Sequence, residues 1–193
     1  MSIKTILFDM DGTIVDVPYD WKRIKQDLKT GGKPILPFIS SLLEPVRSEK
    51  WRILEMYEDA ATAKAVLKKG IKEFLNYLKE KNIRTALITN NSKKNVSLLL
   101  NKFGLDFDLV MSRESGLWKP SGEPFLYALD RLGFKTHECC VIGDSHFDIL
   151  AALDAGIKKI FILSDNPTGF AETSVEWVCT IAELQQKIQP LLF

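Results

Sequence analysis

Short, largely apolar runs alternate along this chain with stretches of helical periodicity, and that alternation constrains the fold more than any other feature. Ile3 to Phe8, Ile83–Ile88, Leu109–Met111, Cys139–Ile142 and Lys159–Ile162 have the length of strands, and Trp177–Cys179 is a short further candidate. Between them, Ile71, Phe74, Leu75 and Leu78 recur at helical spacing, as do Val96, Leu99, Leu100 and Phe103. The same spacing holds for Phe125, Leu126, Leu129 and Leu132, and for Ile149, Leu150 and Leu153. Strands this apolar are those covered on both faces, and strand–helix alternation implies right-handed crossovers. The prediction is an α/β, Rossmann-like three-layer sandwich with a central parallel sheet. Local signals agree: Ser92 is placed to cap a helix, Gly104 to end it, and Thr180 and Glu183 have capping-box spacing.

From Asp16 to Leu67 the rhythm stops. Trp21, Ile24 and Leu28 share a helical face, and Gly31-Gly32-Lys33-Pro34 reads as a turn. Ile35–Leu43 is a second helical pattern with Pro34 in its first turn, and Pro45 breaks the chain again. Trp51, Leu54, Tyr57 and Ala61 then line one side of a longer pattern that starts near Glu49. No strand candidate falls in this region. It predicts a small all-helical cap domain at 16–67, inserted after the first strand of an α/β core formed by 1–15 and 68–193. The Trp21, Ile24 and Leu28 stripe reads as packing core, and Arg47, Lys50 and Arg52 as a solvated helix face.

A chain of 193 residues can bury about 70% of its unfolded surface, enough for one core and a small accessory unit. A net charge of +1 gives no general attraction to nucleic acid or anionic membrane. The first twenty residues carry Asp9, Asp11, Asp16 and Asp20, unlike a signal peptide, and no apolar run approaches the ~20 residues of a membrane span. Cys139, Cys140 and Cys179 have no Cys-x-x-Cys spacing and read as buried reduced thiols. The expectation is a cytoplasmic monomer or homodimer acting on a small molecule, without nucleic-acid or membrane partners.

Polar residues recur where the apolar runs end: Asp9 and Asp11 after the first, Thr89 and Asn90 after the second, Lys119 after the third, Asp144 and Asp148 after the fourth. A parallel sheet brings those ends to its carboxyl edge, where open α/β sheets bind ligands. Taken singly, Asp9, Asp11 and Gly12 could form only a turn, Thr89 and Asn90 could only start a helix, and Asp144 could only cap one. Taken together, carboxylates at about 4–6 Å would repel by roughly 4 kcal/mol per closest pair at an effective dielectric of 20. Such a cluster must protonate or bind a cation. Oxygen donors without His or Cys point to Mg²⁺. Of the two histidines, His146 is the nearer to this cluster and reads as an exposed loop residue.

In that order the four motifs resemble those of the haloacid dehalogenase-like hydrolase superfamily, specifically its phosphoglycolate phosphatase-like branch. The resemblance spans Ile3 to about Ile162 and is specific for the superfamily rather than for a substrate. It implies Mg²⁺-dependent hydrolysis of a small phosphorylated metabolite through an aspartyl-phosphate. Asp9 would be the nucleophile and Asp11 the general acid and base. The Thr89 hydroxyl, the Asn90 N–H and Lys119 would hold the phosphate. Asp9, Asp144 and the Asp11 carbonyl would ligate the metal, with Asp148 as a further ligand or as support. Asp11 favours phosphoryl transfer over carbon–halogen cleavage. A phosphosugar mutase and a non-catalytic regulatory protein are the alternatives on the same fold. Two departures stand out: Val17 replaces a common Ser or Thr, and Gly122 replaces a common second proline, which implies a looser loop.

Overall fold

The computed structural model describes residues 2–164 and 175–192. In chain order the elements are β1 (Thr5–Phe8), β2 (Val15–Asp16), α1 (Trp21–Leu28), α2 (Ile35–Ser40), α3 (Val46–Ala63), β3 (Val66–Leu67), α4 (Ile71–Glu80) and β4 (Arg84–Ile88). There follow α5 (Lys93–Phe103), β5 (Leu109–Met111), α6 (Glu123–Leu132), β6 (Cys139–Gly143), α7 (His146–Asp154), β7 (Ile160–Leu163), β8 (Val175–Val178) and α8 (Ile181–Ile188). Six strands pair in parallel in the order β5-β4-β1-β6-β7-β8. Every residue of β1 is fully buried.

Because alternate strand residues point to opposite faces, β1 divides its side chains between two cores. Ile6 and Phe8 pack with Phe74, Leu78, Val96, Leu99 and Leu184 from α4, α5 and α8. Leu7 packs on the other face with Phe125, Leu129, Ile149 and Ala152 from α6 and α7. These are the three layers that the alternation predicts. Ser92 accepts from the Asn95 amide at 3.3 Å and Thr180 from the Glu183 amide at 3.1 Å, so both capping signals operate.

The connections after β1 run outward to β4 and β5, then cross back to β6 and continue to β7 and β8. Chain direction across the sheet therefore reverses beside β1, and the carboxyl ends of β1 and β6 flank the crevice that such a reversal opens.

The helices α1, α2 and α3 carry their own apolar cluster of Ile24, Leu28, Leu36, Ile39 and Leu54. Two short strands, absent from the sequence reading, close the ends of this segment. β2 and β3 pair antiparallel, Val15 with Leu67 and Asp16 with Val66, and Lys68 Nζ donates to Asp16 Oδ1 at 2.7 Å. At two residues each, they are too short to leave a period in the sequence. Trp21 also departs from expectation. It opens α1, lies outside the cluster and is 47% exposed, stacked on Tyr19 with ring centroids 4.4 Å apart. Arg47 and Lys50 face outward as read, to Glu44 and the Asp27 carbonyl.

Cys139 and Cys140 are buried thiols, whereas Cys179, one residue beyond β8, is exposed. No described helix is long and apolar enough to cross a membrane. Gly122 overturns the expectation of a loose loop. Its amide donates to Asp154 Oδ2 at 2.7 Å, and a Cβ there would lie 2.5 Å from the Ala155 nitrogen. The missing Cβ lets the start of α6 approach the backbone at the end of α7, and the N–H makes a bond to Asp154 that proline could not. Gly122→Ala should cost about 1–3 kcal/mol through overpacking. A urea-unfolding midpoint equal to that of the parent would show that the contact relaxes freely.

Candidate active site

Asp9 continues β1 by one residue, and its amide donates to the Ile142 carbonyl of β6 at 2.9 Å. That bond seats its carboxyl between the two strand ends. The chain then coils tightly: the Met10 carbonyl accepts from the Thr13, Ile14 and Val15 amides. Gly12, at φ 87°, occupies the left-handed region. A Cβ on Gly12 would lie 2.0 Å from Asp144 Oδ2. Glycine is required here twice over, by the turn and by the approach of Asp144.

Asp144 follows β6, and Asp148 lies in the first turn of α7. Asp148 Oδ2 accepts from the Ser145 hydroxyl at 2.7 Å, the Ser145 amide at 3.1 Å and the Asp144 amide at 3.3 Å. Its other oxygen accepts from Lys119 Nζ at 2.6 Å. Lys119 also donates to Asp9 Oδ1 at 2.5 Å, so one buried ammonium is shared between two carboxylates. One oxygen each of Asp9, Asp144 and Asp148 lie within 4.8 Å of one another. The Asp11 carboxylate is outside this group: its Oδ2 accepts from Asn91 Nδ2 at 3.0 Å, and its Oδ1 is buried without a hydrogen-bond partner.

The loop after β4 supplies more than the sequence reading assigned to it. Asn90 Nδ2 donates to the Lys119 carbonyl at 2.9 Å and its Oδ1 accepts from the Lys119 amide at 3.0 Å. The Asn90 side chain is thus a clamp on the lysine backbone, and its own N–H makes no hydrogen bond within the described residues. Thr89 Oγ1 accepts from the Asn91 amide at 3.1 Å, which leaves its proton to donate elsewhere. Asn91, not singled out from sequence, also donates to the Tyr19 hydroxyl at 3.0 Å, joining the helical segment to Asp11.

A second unread feature lies on α3. Glu58 is buried, and both its oxygens accept from Arg113 Nη1, at 2.8 and 3.0 Å. Arg113 stacks over Trp51, and its amide donates to the Asn91 carbonyl at 2.9 Å. In a helical pattern, Glu58 looks like any solvated acid. Only its burial distinguishes it. A cavity of about 450 Å³ joins these parts, lined by Asp9, Asp11, Thr89, Asn90, Lys119 and Asp144 on one side and by Tyr19, Trp21, Leu36, Leu54 and Glu58 on the other. His146 also lines it, exposed as expected but as the first residue of α7 rather than in a loop.

Burial dominates the electrostatics. It pushes Asp9 up to about 6 against the pull of Lys119. Together with the charge on Asp9, it pushes Asp11 up to about 7. Burial and the Asp9 and Asp148 charges push Asp144 up to about 8, and burial takes Glu58 to about 7 despite Arg113. For Lys119 burial acts downward, but Asp148 and Asp9 outweigh it and hold the ammonium charged. Groups raised from 3.8 and 4.5 bind protons more tightly folded than unfolded. Their contribution to stability is complete below those ordinary values and is lost as pH rises through about 8. In chelator, the urea midpoint should therefore fall between pH 5 and 8; a flat or rising midpoint would contradict the crowding of these carboxyls.

Against known proteins, a family model described as haloacid dehalogenase-like hydrolase matches residues 36–162. A protein of Caldanaerobacter subterraneus subsp. tengcongensis, provisionally named pyrophosphatase PpaX, is 29% identical across 100% of this chain and 90% of its own. The phosphoglycolate phosphatase of Colwellia psychrerythraea is 28% identical over 81% of this chain and 83% of its own. A solved structure from Thermotoga maritima, provisionally described as a beta-phosphoglucomutase, shares the fold at a TM-score of 0.72 and 20% identity, covering 98% of this chain and 100% of that one. The protein belongs to the haloacid dehalogenase-like hydrolase family.

Proposed function

We propose that the protein is a Mg²⁺-dependent phosphatase that hydrolyses a small phosphate monoester through an aspartyl-phosphate, with 16–67 as a cap over a core of 1–15 and 68–193. The separation of the two carboxyls after β1 carries this reading. Asp9 is held by Lys119 beside Asp144 and Asp148, while Asp11 is held apart by Asn91 with one oxygen buried and unpaired. Different surroundings give neighbouring carboxyls different work. The relatives named pyrophosphatase and phosphoglycolate phosphatase both carry names for phosphoryl hydrolysis.

In this reading an oxygen of Asp9 attacks phosphorus as the bond to the departing alcohol oxygen breaks. Asp11 gives that oxygen its proton. The Asp11 carboxylate then takes a proton from water as the water oxygen attacks phosphorus. The phosphorus–Asp9 bond breaks, inorganic phosphate leaves and both carboxyls return to their starting states. Lys119, the Thr89 hydroxyl and the Asn90 N–H hold phosphoryl oxygens.

The acidic group contains oxygen donors only, a set that suits Mg²⁺. Asp9, Asp144 and the Asp11 carbonyl would hold the ion, which when bound offsets the charge of the carboxylates and phosphoryl group. Both Asp148 oxygens are engaged already, so that residue supports Lys119 and Ser145 instead. The free, buried thiols of Cys139 and Cys140 fit a cytoplasmic setting.

Two experiments test the reading. Asp9→Asn should lower kcat by roughly 10⁴-fold or more, with the circular dichroism spectrum retained; substantial turnover would remove Asp9 as nucleophile. Chelation should silence hydrolysis of p-nitrophenyl phosphate and added Mg²⁺ should restore it, whereas indifference to chelator would refute the metal assignment. A requirement for a sugar bisphosphate, with no net phosphate release, would make the protein a mutase.

A further inference from the structure

We infer that the group leaving phosphorus is uncharged and apolar, about the size of one aromatic ring, and that the cavity disfavours a second phosphate or carboxylate. The inference rests on the phosphatase reading above and names the substrate class of that site. Its basis is the wall opposite the carboxylates, which comes from the helical segment. Trp21 and Tyr19 stack on one another there, and Ile35, Leu36 and Leu54 complete an apolar surface. Trp21 is 47% exposed although it belongs to no apolar cluster of the fold. A large ring left open beside a cavity of about 450 Å³ is placed to stack against a ligand.

The charges on that wall point the same way. A substrate with a second anion needs a cation at its far end, and the nearby cations are taken. Lys119 is shared by Asp9 and Asp148, and Arg113 by both oxygens of Glu58. Glu58 itself lines the cavity, and by holding Arg113 it keeps that guanidinium from a second anion. Apart from His146 at the start of α7, Lys25 on α1 is the remaining basic side chain in the lining among the described residues. It is exposed, and its place in the last turn of α1 already suits the negative end of that helix. One exposed lysine does not make a built anion site. The two relatives are named for pyrophosphate and phosphoglycolate, each with two anionic groups, and this chain would differ from them.

The test compares kcat/KM of the Mg²⁺-loaded enzyme for benzyl phosphate, ethyl phosphate, 2-phosphoglycolate, glucose 6-phosphate and pyrophosphate. Benzyl and ethyl phosphate release alcohols of similar basicity, so their ratio reports binding rather than leaving-group chemistry. Benzyl phosphate should exceed each of the others by about tenfold or more. Trp21→Ala, at an exposed position, should raise KM for benzyl phosphate about tenfold with kcat little changed, the mark of binding shared by ground and transition states. Glu58→Gln should raise kcat/KM for 2-phosphoglycolate by about tenfold, because the Arg113 charge beside it is then unopposed. Preference for 2-phosphoglycolate, pyrophosphate or the sugar phosphate would overturn the inference while leaving the phosphatase intact. So would an unchanged KM in Trp21→Ala. If neither the five nor p-nitrophenyl phosphate is hydrolysed, the phosphatase reading itself falls, and the inference with it; turnover of p-nitrophenyl phosphate alone would overturn only the inference.

Discussion

Asp9, Asp144 and Asp148 crowd to within 4.8 Å of one another inside the protein, and the structure around them is arranged to make that crowding tolerable. A pair of like charges at about 4 Å repels by about 4 kcal/mol even at an effective dielectric of 20, which is a large share of a typical domain's net stability. The Lys119 ammonium sits between Asp9 and Asp148 and offsets part of this repulsion. A lysine so buried is itself costly, and it is held by contacts that leave it little freedom. Asn90 grips its backbone in both directions, and Asp148 receives it on a carboxylate whose other oxygen is already bound to Ser145. Burial and the remaining repulsion raise Asp9 and Asp144 above the ordinary carboxylate range.

The sheet determines where this happens. β1 lies in the middle of six parallel strands, and the chain leaves it in one direction before crossing to the other. The carboxyl ends of β1 and β6 are neighbours for that reason, although Asp9 and Asp144 are far apart in sequence. Gly12 and Gly143 let the carboxyl groups approach: a Cβ on either would collide with Asp144 or Asp148. These glycines act by absence, since what matters is the room each leaves.

The helical segment is joined to this edge by polar bonds as well as by packing. Asn91 binds both Asp11 and Tyr19, and Arg113, from the loop after β5, pairs with Glu58 of α3. The Arg113 amide returns to the Asn91 carbonyl, so the two links share a residue. A buried pair of this kind contributes little net stability compared with apolar packing, but it is costly to break on one side only. Its effect is to fix where α3 sits relative to Asp11, and so to fix the wall that a ligand's departing group would meet.

The sequence by itself determined the alternation of strands and helices, the helical patterns of α1, α2 and α3, and the residues at the strand ends. Each is written in local form, as a period, a cap or a polar residue after an apolar run. Nothing local marked β2 and β3, because two residues carry no period. Gly122 was misread because its reason is the Ala155 backbone, distant in sequence. Trp21 was assigned to a core by spacing alone, since a helical face does not say whether anything lies opposite it. Asn91, Glu58 and Arg113 were passed over because an asparagine in a loop or a charge on a helix acquires meaning only from burial and partners. Tertiary structure alone decided that Asp148 accepts from both Lys119 and Ser145, that the Asn90 side chain grips the lysine backbone, and that the Asp11 carboxyl lies outside the cluster of Asp9, Asp144 and Asp148. Which neighbours crowd a carboxyl, and so what it can do, is a property of space rather than of the order of residues.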